Sequence, residues 1–153
     1  MLILPIITAL AASNVSAYPE DFTAKCTGGQ DISATFLDSD VAHPILRRQD
    51  QASYTVTILR RSGRFELELD GVDFTVLQAD SREFKLHVLK AEPGDLALSV
   101  ETATWGRSLS VYHLRYAGAV GALTVTTTNY SGHGSDNTTL MVMTCKIGTQ
   151  SSP

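Results

Sequence analysis

Phe65-Glu66-Leu67-Glu68-Leu69-Asp70-Gly71-Val72-Asp73-Phe74-Thr75-Val76 alternates apolar and polar residues on both sides of an Asp-Gly pair. Period-two alternation marks a strand with one dry face and one wet face. Asp70-Gly71 has the chemistry of a two-residue hairpin turn, because positive φ costs glycine nothing and aspartate little. Residues flanking such a turn pair with each other and share a face. That sets Leu69 beside Val72, and Phe65, Leu67, Phe74 and Val76 continue the same side. Glu66, Glu68, Asp73 and Thr75 fall on the other. The two arms agree in parity, so the segment reads as a β-hairpin.

The same pattern extends in both directions. Phe84, Leu86 and Val88 alternate with Lys85 and His87; Leu96, Leu98 and Val100 alternate with Ser99 and Glu101; Pro93-Gly94 lies between them with turn chemistry. Upstream, Phe22–Cys26, Ile32–Phe36 and Tyr54–Leu59 are short β-rich runs, and downstream come Ser108–Tyr116, Ala122–Thr128 and Thr139–Ile147. The β-branched stretch Leu123–Thr128 favours strand over helix. The expected fold is all-β: an antiparallel barrel or sandwich of about nine short strands. The best helix candidate, Ser39–Gln51, is polar, carries Pro44 and has room for one turn. In Ser108–Tyr116 the early parity turns Leu109 and Val111 inward, whereas the later parity turns Tyr112, Leu114 and Tyr116 inward. A β-bulge, or a strand covered on both faces, reconciles the two.

Residues 2–12 form an uncharged apolar run, followed by Ser13-Asn14-Val15-Ser16-Ala17. Small residues at Val15 and Ala17 suit a signal-peptidase cut after Ala17, although no Lys or Arg precedes the run. The run falls short of the ~20 apolar residues that span a bilayer. The expected organisation is a signal peptide over 1–17, one β domain over 18–148 and a disordered tail over 149–153. Export to a periplasmic or extracellular compartment follows from that reading. In such an oxidising compartment the two cysteines of the chain, Cys26 and Cys145, most simply pair. A bridge closing residues 27–144 constrains the unfolded chain by about 4–5 kcal/mol in loop-entropy models. Neighbouring first and last strands would favour the barrel, with the bridge tying its seam.

The 153-residue chain carries a net charge of −4, with 18% charged and 43% hydrophobic residues. That balance argues against wholesale disorder and against a general nucleic-acid binder. Two cysteines cannot build a four-cysteine zinc site. No phosphate-cradling glycine loop and no Gly-x-Ser-x-Gly elbow occurs, and no cofactor is implied.

Four stretches concentrate reactive side chains. Asp38–Asp50, read as the longest irregular loop, gathers Asp38, Asp40, His43, Arg47, Arg48 and Asp50, but lacks the glycine and distal glutamate of a calcium loop. Arg60-Arg61-Ser62-Gly63-Arg64 reads as a hairpin tip whose arginines suit a carboxylate or phosphate surface. Trp105-Gly106-Arg107, with His113, Arg115 and the tyrosines, offers an aromatic and a guanidinium for a sugar or a partner. Ser131–Asn137 holds His133, Ser135 and Asp136, but adjacency in sequence is not a triad. Asn129 and Asn137 head glycosylation sequons if the source is eukaryotic. The expected function is a binding or inhibitory module for a protein or polysaccharide, contacting it through Arg60, Arg61, Arg64, Trp105, Arg107 and His43. The alternatives are a small-ligand carrier with an apolar barrel interior and, more remotely, a hydrolytic enzyme.

Overall fold

The computed structural model describes residues 21–37, 40–50, 54–70, 84–103, 107–130 and 135–149. These form nine strands: β1 (Phe22–Leu37), β2 (Asp40–Asp50), β3 (Thr55–Arg61), β4 (Arg64–Asp70), β5 (Phe84–Glu92), β6 (Asp95–Thr102), β7 (Arg107–Ala117), β8 (Val120–Tyr130) and β9 (Ser135–Thr149). All neighbours are antiparallel and lie in one sheet, in the order β4-β3-β1-β9-β8-β7-β6-β5. The sheet curls into a half-barrel. The first and last strands are partners, and the Cys26–Cys145 disulfide joins them. The staple lies in the middle of the sheet; the ends of the hydrogen-bonded path are β4 and β5.

β1 organises the rest. It runs the height of the sheet beside β9, from Phe22↔Thr149 to Leu37↔Ser135. Its other edge is shared by β3, which reaches only Thr27, and by β2, which takes over from Gln30. Phe22–Cys26 and Ile32–Phe36, two runs in the sequence, are therefore one strand interrupted by a register shift at Gly28-Gly29. Both glycines have positive φ, 67° and 143°. A Cβ on Gly29 would meet the Val142 carbonyl oxygen, so only glycine fits this bulge.

The shift exchanges the parity of the strand. Below it Phe22, Ala24 and Cys26 face the core, with Cys26 opposite Cys145. Above it Asp31, Ser33 and Thr35 stand opposite Met141, Thr139 and Asn137 on that same face.

The core fills the lower half of the concave face. Ile58, Leu67, Leu96, Leu98, Leu114 and Leu123 are fully buried. Phe22 crosses the concavity, its ring 6.3 Å from Phe65 and 5.9 Å from Tyr116. Higher up, the concave rows turn polar. The row Leu98–Tyr112–Val125–Met141 is followed by Val100–Ser110–Thr127–Thr139–Ser33 and then Thr102–Ser108–Asn129–Asn137–Thr35. Within these rows Ser110 and Thr127 share a hydrogen bond of 2.9 Å, and the Thr102 and Ser108 hydroxyls bond to each other. Hydroxyls that satisfy one another laterally let a sheet face stay polar without a partner layer.

Several local expectations change. Asp40–Asp50 is strand β2, neither a loop nor a helical turn. Above Thr27 one edge of β1 is left unclaimed by β3, and ladder bonds to that edge outweigh the polar composition of the segment. Pro44, which has no N–H to donate, lies where the register jumps from Thr35↔Ile45 to Leu37↔Asp40. β7 pairs with β6 and β8 without any register shift, so there is no bulge in Ser108–Tyr116. Tyr112 and Leu114 lie in the core. Ser108 and Ser110 share their parity, which sends Leu109 and Val111 to the convex face, where they are half-buried. Ser135, Asp136 and Asn137 belong to β9, as does Thr149, which the sequence pattern assigns to the tail. The arm Val72–Val76, the leader over 1–17, Trp105 and His133 lie outside the described residues.

Candidate functional site: a cleft at the upper strand ends

At the upper ends of β5, β6, β7 and β8 a cleft of about 760 Å³ is lined by Lys85, Glu101, Thr102, Ala103, Arg107, Ser108, Leu109 and Tyr130. Pairing explains how four strands supply it. Lys85 stands opposite Glu101, Glu101 opposite Leu109, and Arg107 opposite Tyr130. Period-two alternation puts these residues on the convex face, while Thr102 and Ser108 belong to the last polar rung of the concave face. The cleft is thus a notch in the sheet's upper rim that touches both faces.

Its electrostatics differ from those of the whole chain. Two cations, Lys85 and Arg107, face one carboxylate, Glu101, whereas the chain carries a net charge of −4. Neither cation forms an ion pair among the described residues. Tyr130 is 49% exposed and presents an aromatic surface. Asp136 faces Tyr130 from β9, beyond the lining. On the adjoining concave face Asp31 Oδ1 and Asn137 Oδ1 are buried without a partner, two acceptors that call for a donor from water or ligand.

The opposite end of the sheet carries the arginine hairpin. Ser62 and Gly63 both have positive φ, 49° and 78°, as a two-residue hairpin turn with primed geometry requires. The Ser62 N–H donates to Asp21 Oδ1 at 2.8 Å, which fixes the tip against the start of β1. Arg60 packs its guanidinium 5.8 Å from the centre of the Phe65 ring. Arg61 and Arg64 are exposed and directly opposite each other.

Beyond the arginine tip, at the same end, Asp95 gathers a cross-strand network. Its Oδ2 accepts from Lys90 Nζ at 2.7 Å and its Oδ1 meets His113 Nε2 at 2.7 Å; an Arg115 nitrogen stands 4.0 Å away. Lys90 also reaches Glu92 at 3.0 Å. The hydrogen bond from Lys90, then that from His113, holds the Asp95 carboxyl down at about 2. Hydrogen bonds to Asp95 and Glu92 push Lys90 up. This network ties the β5–β6 hairpin to β7.

The residues singled out from sequence are therefore dispersed. Arg107 begins β7, while His113 and Arg115 lie toward its other end; Arg107 and Arg115 are about 26 Å apart at ordinary strand rise. His43 is exposed on β2, in the interval where the β1–β2 register jumps. Arg60, Arg61 and Arg64 form the far tip. Of the expected contact residues that are described, only Arg107 lines the cleft. Trp105 falls in sequence between two lining residues, Ala103 and Arg107, outside the described residues. Lys85, Glu101 and Tyr130 carry no sequence signal of their own, because they meet only through register.

Among the described residues that line the cleft, Glu101 is the one carboxylate. Among the described residues no three His, Cys, Asp or Glu side chains come together as a metal donor set. Tyr112 is a core residue whose hydroxyl burial pushes up to about 12 against a lowering hydrogen bond with Ser110. Comparison with known proteins finds no matching family model, no matching curated relative and no matching solved structure.

Proposed function

We propose that the protein is an exported binding module for a polysaccharide, which it takes at the cleft in the upper rim. The supporting observation is the combination of an exposed aromatic, Tyr130, with charged side chains that form no ion pair among the described residues and the hydroxyls of Thr102 and Ser108 around one opening. Sugars present apolar ring faces for an aromatic and hydroxyls for such donors and acceptors. The rungs Ser110–Thr127–Thr139 and Ser108–Asn129–Asn137 extend the polar surface along the concave face, suiting an extended polymer. Export fits a body closed by a disulfide. The apolar-carrier alternative is disfavoured, because side chains that are fully buried already occupy the lower concavity.

Calorimetric titration with a panel of neutral and acidic oligosaccharides tests the reading. At least one should bind, and Tyr130→Ala should weaken it about tenfold, roughly 1.4 kcal/mol. Absence of binding across the panel would overturn it.

A second reading is favoured by Arg61 and Arg64. Like charges directly opposite on a hairpin are destabilising, and their placement suits an acidic protein surface. Retention of a protein partner that is lost in the Arg61→Ala/Arg64→Ala variant, with no oligosaccharide binding, would select this alternative.

A further inference from the structure

We infer that the glycan taken by the cleft is acidic, with one sugar carboxylate held jointly by Lys85 and Arg107; this rests on the reading that the cleft binds a polysaccharide. Lys85 and Arg107 stand two strands apart, on β5 and β7, with Arg107 two residues above the row that contains Lys85, Glu101 and Leu109. Strand spacing and rise put their Cα atoms about 12 Å apart. Side chains of this length reach inward from both sides, so an ammonium and a guanidinium converge on a small anion between them. Glu101 lies on β6 between the strands that carry the two cations, so the described lining keeps one net positive charge. Glu101 accepts hydrogen bonds from sugar hydroxyls beside the bound carboxylate.

The contrast with Lys90 sharpens the point. Lys90 is taken up by Asp95 at 2.7 Å and Glu92 at 3.0 Å. Lys85 stands opposite a glutamate in register, yet forms no ion pair among the described residues, and Arg107 forms none either. With two cations and one carboxylate among its described lining residues, the notch attracts an anion locally in a chain of net charge −4.

The experiment titrates the full-length protein with short oligogalacturonate and with the same oligosaccharide after methyl esterification, which removes the charge and keeps the sugar backbone. The acid should bind about tenfold or more tighter than the ester. Lys85→Gln and Arg107→Gln should each weaken the acid more than the ester and so narrow the gap between them. Raising salt to about 1 M, where screening acts within ~3 Å, should weaken the acid selectively. Circular dichroism of both variants checks that these exposed substitutions leave the fold intact. Equal binding of acid and ester, indifferent to salt and to both variants, overturns the carboxylate inference while the glycan reading stands. Binding of neither, with no other oligosaccharide bound, overturns both.

Discussion

Cys26 of β1 and Cys145 of β9 stand directly opposite each other, with Cα atoms 3.9 Å apart and a sequence separation of 119. One bond thus ties two neighbouring interior strands of the sheet, and both sulfur-bearing residues are buried. The Cys26→Ala/Cys145→Ala variant should lose about 2–5 kcal/mol of unfolding free energy, measured by urea titration. Intact mass of the oxidised wild type should be two hydrogens below the reduced value.

Gly29 supports a narrower test. Its φ is 143°, and a Cβ added there would run into the Val142 carbonyl oxygen, so no side chain fits without moving the β1–β9 ladder. Gly29→Ala should destabilise by more than ~2 kcal/mol. Gly118, in the β7–β8 turn with φ 59° and open space around it, should tolerate alanine at about 1 kcal/mol. Equal denaturation midpoints for the two variants would contradict the packing at the bulge.

Asp95 makes stability depend on pH at the acid end. Its carboxyl sits at about 2 in the folded state against 3.8 ordinarily. The stabilisation is therefore fully present above about pH 4, and is lost as pH falls through 2. Lys90, pushed up by the same contacts, holds its contribution below its ordinary 10.5 and loses it at higher pH. Denaturation midpoints followed against pH should fall less steeply between pH 4 and 2 for Asp95→Asn than for the wild type.

Arg61 and Arg64 face each other across the hairpin end. Arg61→Glu converts the like pair into an opposite one and should raise stability by about 0.2–1 kcal/mol, read as a higher melting temperature. A lower melting temperature would mean that the arginines are held by contacts other than those described.

What could be read in the sequence was local. The Ser62-Gly63 turn, the Pro93-Gly94 turn and the strands around them announce themselves through alternation and turn chemistry, and the cysteine pairing follows from there being two. Asp40–Asp50 could not be read, because its strand character comes from the free upper edge of β1, not from its own residues. Leu109 and Val111 mislead because an apolar residue is assumed to face the core, whereas here Ser108 and Ser110 occupy that face. The cleft was the least legible feature. Lys85, Glu101, Arg107 and Tyr130 come from four strands, and only the register of the finished sheet brings them to one rim.

The change of the concave rows from leucine and methionine to serine, threonine and asparagine divides the molecule by task. Below it, side-chain identity is dictated by close packing; above it, positions such as Thr102, Ser108, Asn129 and Asn137 are held in place by backbone ladders that do not depend on which polar group they carry. Polar substitutions in the upper rim therefore leave the frame unchanged, while the anchoring half keeps the chain folded.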